Sequence, residues 1–254
     1  MRIEILGCSA TIGGNRRTTS LLVDGDTLVD AGSGVGELDL DGLLAIRRVF
    51  LTHAHLDHSG FLPLLADAGA GRRSGPLPVW ALPETIAALE QHMFNGVLWP
   101  DYTIRPSPAA PYLTFHPLRV GEPVAADGKT VTPLPARHSI PAVGFALQGS
   151  GGGLAFSGDT TYCPEFWEAL KGIPELRAVM VETTFLNAQR QEAVLAGHTT
   201  PALLARGLAH LRGRPEILIT HLEAGHEDQT LAEIGSAVSD FAVTQARRGQ
   251  ILSL

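Results

Sequence analysis

Cysteine, lysine and aromatic side chains are all scarce in this chain of 254 residues, and each scarcity excludes something. The two cysteines, Cys8 and Cys163, are too few and too far apart for a disulfide framework or a thiolate-rich metal site, and such usage fits a reducing cytoplasm. Of the 19 basic residues only Lys129 and Lys171 are lysine, a skew that with abundant alanine, glycine and proline marks codon bias, not function. Against 26 acidic residues these leave a formal net charge of −7, the wrong sign for gripping an extended nucleic acid by its phosphates. No stretch approaches the ~20 apolar residues that span a bilayer. The run from Ile3 to Cys8 falls far short of the roughly 7–15 apolar residues of an export signal, so no membrane partner and a cytoplasmic location are expected.

What is present suffices for a large core: 44% of residues are hydrophobic, and one domain over residues 1–254 is the expected organisation. Short apolar, β-branched runs at 3–6, 20–23, 27–29, 49–51, 78–82, 130–134, 143–147, 154–156, 178–181 and 217–219 predict strands. Helical patterns fall at 56–68, 83–93, 163–170, 201–211 and 229–243, with Pro83 and Pro201 placed where a first helical turn tolerates proline. Hairpin-like pairs opening each half, then strands alternating with helices, predict an α/β fold of two mixed sheets face to face with helices outside. Residues 95–111 form an irregular, proline-rich segment with aromatic residues in and around it. Loops of that length inside a domain are usually functional or mobile.

The strand ending at Leu51 runs into Thr52-His53-Ala54-His55-Leu56-Asp57-His58. On an extended segment His53 and His55 share one side, and a turn into the next helix brings Asp57 and His58 beside them. Imidazole with carboxylate suits Zn²⁺, Mn²⁺ or Fe²⁺, while the lack of thiolate argues against a closed structural zinc site. Three further donors, His138, Asp159 and His221, each follow an apolar run and so sit at a sheet edge where distant segments converge. His198, after Gly197 and before the helix start at Pro201, is placed to serve a leaving group or a phosphate. Arg16 and Arg17, in a glycine-rich loop after the first strand, are candidates to contact a phosphate or base. Phe94, Trp99, Tyr102 and Tyr112 are candidates to stack on a purine.

The order Asp30, His53 to His58, His138, Asp159, His221 resembles the metallo-β-lactamase-fold hydrolase superfamily across nearly the whole chain. The resemblance implies an αββα sandwich with two divalent metal ions, zinc first, manganese or iron as alternatives. By the same likeness His53, His55 and His138 hold one ion, Asp57, His58 and His221 the other, Asp159 bridges them, and Asp30 steadies the ligand loop. Gly7-Cys8-Ser9, Gly13 to Ser20, Ala81 to Thr85, Phe94-Asn95, Trp99-Pro100-Asp101, Ser157 to Thr161, Glu182-Thr183 and Gly197 to Pro201 look like the class II cyclic-nucleotide phosphodiesterases. Ser59 departs from that pattern where an aliphatic residue is usual, as does Glu223 where a lysine is usual; a carboxylate there would weaken anion binding unless it points outward.

The function so implied is hydrolysis of 3′,5′-cyclic nucleotides, cAMP-like, to 5′-monophosphates. Two metals about 3.5–4 Å apart share and activate one water as the attacking hydroxide, so no side-chain nucleophile is required. Asp57, Asp159 and His198 are the catalytic candidates, and Arg16, Arg17, Phe94, Trp99 and His198 the substrate-binding ones. The partner is then a small molecule, with a homodimer compatible. A tRNA 3′-processing-type endonuclease and a lactone or thioester hydrolase are the alternatives on the same site. The first resembles enzymes that carry an additional basic arm, of which this sequence has none. A non-catalytic metal or nucleotide sensor on the same fold is the alternative outside enzymes.

Overall fold

The computed structural model describes residues 1–254. The first half runs β1 (Arg2–Gly7), β2 (Ser20–Val23), β3 (Thr27–Val29), α1 (Leu40–Ala45), β4 (Arg48–Phe50), α2 (Leu56–Ser59), α3 (Leu62–Gly69), β5 (Leu77–Ala81), α4 (Pro83–His92), the short pair β6 (Pro106–Ser107) and β7 (Ala110–Pro111), and β8 (Leu113–Pro117). The second runs β9 (Val124–Ala126), β10 (Lys129–Pro135), β11 (Val143–Gly149), β12 (Gly152–Phe156), α5 (Pro164–Leu170), β13 (Leu176–Glu182), α6 (Arg190–Ala196), α7 (Pro201–Leu208), β14 (Glu216–Thr220), α8 (Glu227–Ala237), β15 (Val243–Gln245) and β16 (Ile251–Ser253). Two mixed seven-stranded sheets result, ordered β16-β1-β2-β3-β4-β5-β8 and β15-β14-β13-β12-β11-β10-β9.

Period-two alternation explains the layering. On β2 and β3, Leu21, Val23 and Val29 face the other sheet, where they meet Phe145, Leu154 and Phe156. Their neighbours Leu22 and Leu28 face outward onto Leu62, Leu65 and Ala66 of α3. On β13, Met180 joins the layer between the sheets while Val179 and Val181 pack outward with Phe166 and Trp167 of α5 and Leu204 and Leu208 of α7. Strands buried on both faces read as continuous apolar runs. The αββα sandwich implied by the sequence resemblance is the fold observed.

Several boundaries differ from expectation. The helix expected over 56–68 breaks at Gly60 into α2 and α3. The one expected over 229–243 ends at Ala237, and Val243 instead opens β15, parallel to β14. Strands β8, β9 and β16 lie outside the predicted runs. In the parallel part of each sheet, β3, β4, β12 and β14 all end at one edge of the sandwich, and that edge carries the chemistry.

Candidate metal centre

The loops leaving these strands bring seven His and Asp side chains together. One group is His53, His55 and His138 and a second is Asp57, His58, Asp159 and His221, while His198 forms a third with His138 and Asp159; all donor atoms in each group lie within 4.8 Å of one another. His55 Nδ1 lies 3.1 Å from both His53 Nε2 and His138 Nε2. His221 Nε2 lies 3.1 Å from Asp57 Oδ2 and 3.4 Å from Asp159 Oδ2. Asp159 stands between the groups: its Oδ2 is also 3.8 Å from His53 Nε2 and 4.0 Å from His138 Nε2, and its Oδ1 is 3.2 Å from His58 Nε2.

The outer ring nitrogens decide what the inner ones can do. His58 Nδ1–H donates to Asp30 Oδ2 at 2.7 Å, His138 Nδ1–H to the Gly197 carbonyl at 3.0 Å, and His221 Nδ1–H to Thr184 Oγ1 at 2.9 Å. His53 Nδ1–H donates to Thr52 Oγ1 at 2.9 Å, and that hydroxyl donates in turn to Asp30. With those protons fixed outward, the inner nitrogens present lone pairs to one another and to two carboxylates. His58 Nε2 is fully buried and makes no hydrogen bond. Acceptors converging on acceptors, with an orphaned buried nitrogen among them, fit divalent cations ligated by imidazole and carboxylate.

Electrostatics agree. Burial, then neighbouring imidazoles, holds His53 well below its ordinary pKa, and burial likewise lowers His55 and His138, keeping all three neutral. For His58 burial opposes the charge most strongly, yet the carboxylates of Asp159 and Asp30 outweigh it and raise the group well above its usual range. That surplus of negative potential is what a divalent cation neutralises. Asp57 is held below the carboxylate range: burial pushes it up, but the His221 hydrogen bond and the charges of His58 and His221 prevail.

Around the donors lies a buried polar frame. Asp30 adopts a left-handed backbone (φ 60°) after β3, and its carboxylate accepts from Thr52 N at 2.8 Å as well as from His58. Glu182, closing β13 and fully buried, accepts from Thr160 N, Thr184 Oγ1, Thr199 N and His198 Nδ1 at 2.8–3.1 Å. His198 is pushed up to about 9: burial lowers it, but the Glu182 carboxylate more than compensates. Its ring lies between those of His138 and His221, with centroids 4.9 and 5.3 Å away. Sequence reasoning missed Thr52, Thr184 and the role of Glu182; an acidic residue closing an apolar strand was the available signal.

The departures noted in the sequence also find places. Ser59 Oγ donates to the carbonyls of Ala54 and His55 at 2.9 and 3.0 Å and so ties down the histidine loop. Glu223 accepts from His226 Nδ1 at 3.0 Å and is 42% exposed. The substrate-binding expectations fare differently. Phe94 is buried among the residues between the first sheet and its helices, so its expected stacking on a base is corrected: no ring face is free. Trp99 is half-buried against the same layer. Arg16 and Arg17 are held in ion pairs with Glu227 and Glu37 at 2.7 and 2.6 Å and do not reach the seven donors. No helix is long and apolar enough to cross a membrane.

Sandwich, strand-end donors and order of ligands together define a metallo-β-lactamase-fold protein. A family described as a β-lactamase superfamily domain matches residues 27–222, and the chain belongs to this metallo-β-lactamase superfamily of hydrolases. It is 28% identical over 273 aligned positions to a ribonuclease Z from Methanothermobacter thermautotrophicus, covering 100% of this chain and 85% of that one. With 3′,5′-cyclic-nucleotide phosphodiesterase 1 of Saccharomyces cerevisiae it shares 27% identity over 193 positions, 65% of this chain and 51% of the yeast protein. The crystal structure of unliganded yeast PDE1 superposes with a TM-score of 0.83 at 19% identity, over 100% of this chain and 99% of that one, a likeness of fold.

Proposed function

We propose that residues 1–254 act as a dinuclear metal-dependent phosphodiesterase that opens 3′,5′-cyclic nucleotides to 5′-monophosphates. The observation that carries this reading is Asp159 set between two groups of inward-facing acceptors, with the outer nitrogens of His53, His58, His138 and His221 engaged elsewhere. His53, His55 and His138 would hold one cation and Asp57, His58 and His221 the other, with Asp159 shared; when bound, the pair supplies Lewis-acid polarisation of the phosphoryl oxygens and an acidified water.

The chain's own groups do the rest. Asp30 and Thr52 orient His53 and His58, Glu182 and Thr184 orient His221, and the Gly197 carbonyl orients His138. His198, with Nδ1–H engaged by Glu182, has its other nitrogen available to give a proton to the departing 3′-oxygen. The 27% identity to the yeast 3′,5′-cyclic-nucleotide phosphodiesterase 1 supports the cyclic-nucleotide reading. The full-length likeness to a ribonuclease Z supports the endonuclease as the second reading. The metal-loaded protein, assayed in parallel on cyclic nucleotides, linear phosphodiesters, a 3′-extended tRNA, lactones and thioesters, separates them. Turnover confined to lactones or thioesters would overturn the phosphodiesterase reading.

A further inference from the structure

Beside the metal centre lies a cleft of about 270 Å³ that the proposed reaction does not use, lined by Arg16, Arg17, Arg247 and Arg248. Four guanidinium groups in one cleft are unexpected in a chain of net charge −7. Their opposing charges are two: Arg16 pairs with Glu227, while Arg17 and Arg248 share the two oxygens of Glu37. Arg247 is exposed and has no carboxylate partner. The cleft therefore keeps an excess of two positive charges, in the planar, forked donors suited to phosphate oxygens.

Its position gives it meaning. The loop carrying Arg16 and Arg17 hangs between two ligand-bearing segments. At one end the His221 amide donates to the Cys8 carbonyl at 2.8 Å, and Ser9 pairs with Leu222, which itself lines the cleft. At the other end, Thr19 O accepts from Gly32 N, and Gly32 packs so closely on the Asp57 carbonyl that a Cβ would come within 2.2 Å of it. The loop that carries the arginines is thus anchored to the segments that bear Asp57 and His221. A separate open cleft, lined by Leu82, Ile140 and Pro141, borders His138.

We infer that the arginine cleft seats a second phosphate of the substrate, and that this protein also hydrolyses linear dinucleotides carrying a 5′-phosphate. The inference rests on the phosphodiesterase reading above. Water adds to the internal phosphorus and the bond to the 3′-oxygen breaks. That oxygen takes up a proton, and 5′-phosphoadenylyl-(3′→5′)-adenosine (pApA) and one water give two molecules of AMP. This is the same bond polarity as opening a 3′,5′-cyclic ring. A cyclic mononucleotide has only one phosphate and leaves the cleft unused.

The test compares pApA with the same dinucleotide lacking its 5′-phosphate (ApA), using the metal-loaded protein. The expected kcat/KM for pApA exceeds that for ApA by at least about ten-fold, corresponding to ~1.4 kcal/mol. Arg247→Ala combined with Arg248→Ala should abolish the preference while leaving ApA turnover unchanged, and Arg247→Lys should retain part of it. Equal kcat/KM for the two dinucleotides, or a preference that survives the double variant, overturns the inference. Calorimetric binding of both dinucleotides is read alongside. If neither is cleaved, tighter binding of pApA that the double variant loses keeps the cleft and rejects the reaction. Equal binding rejects the cleft as well.

Discussion

Asp159 is the residue on which both groups of donors depend, since its two oxygens alone reach members of each. Asp159→Ala should reduce kcat on any phosphodiester by more than ten-fold, a loss exceeding ~1.4 kcal/mol in transition-state stabilisation, with metal content falling below two per chain. Wild-type turnover with reduced metal content would remove the bridging role. His198 stands outside the seven donors proposed for the cations, and its Nδ1–H is engaged by Glu182. His198→Ala should slow alkyl leaving groups far more than activated aryl ones at unchanged metal content, and equal slowing of both would assign His198 to binding. Phe94 shows the limit of reading aromatic residues from sequence, because composition gives its chemistry and not its direction. Buried as it is, Phe94→Ala should cost roughly 3–5 kcal/mol of stability, seen as a lower Tm, with KM for a cyclic nucleotide unchanged.

At the scale of elements, the sequence revealed what repeats and concealed what is local. Strands with both faces buried, such as β12 and β13, are continuous apolar runs and stood out. β15 and β16 are short edge strands only partly buried, and owe their form to pairing with β14 and β1. The break between α2 and α3 was hidden because the apolar pattern continues through it, although Gly60 marks it. The candidate metal donors were legible because each follows a strand. The frame of Thr52, Glu182 and Thr184 was not, since threonine and a single glutamate carry no spacing signature. Close packing of elements gives a direct test. On α7, a Cβ at Gly207 would come within 2.1 Å of the Trp167 ring of α5. Gly207→Ala should therefore destabilise by about 1–3 kcal/mol through overpacking, lowering Tm without altering metal content. An unchanged Tm would mean that the two helices separate freely.

Across the whole molecule, the two sheets are joined at both ends by charge. At the end remote from the metal centre, Lys129 at the start of β10 is 4% exposed and lies 2.9 Å from Asp26 and 3.4 Å from Asp24 in the β2–β3 turn. Arg48 opens β4 and reaches Asp127, in the β9–β10 turn of the second sheet, at 2.6 Å. Burial tends to raise Asp26, but hydrogen bonds from Lys129 and Thr27 and the charges of Lys129 and Arg48 hold it below its ordinary pKa. Such a group stabilises the fold above its unfolded pKa, and the contribution is lost as pH falls through the folded value. Asp26→Asn should therefore flatten the acid limb of the stability curve, a claim refuted if urea midpoints between pH 6 and pH 3 fall in parallel with wild type. At the other end, His53, His55, Asp57 and His58 come from the first sheet, while His138, Asp159 and His221 come from the second. Cations bound there would bridge the sheets, and a ligand at a thousand times its Kd adds about 4 kcal/mol. For a chain of this size that amounts to roughly 8–16 °C in Tm. Chelation should lower Tm by that order and readdition of zinc restore it, whereas Asp159→Ala should respond much less to either. A wild-type Tm indifferent to verified removal of metal would show that the sheets are held by packing alone, and that the seven donors do not form the joint proposed for them.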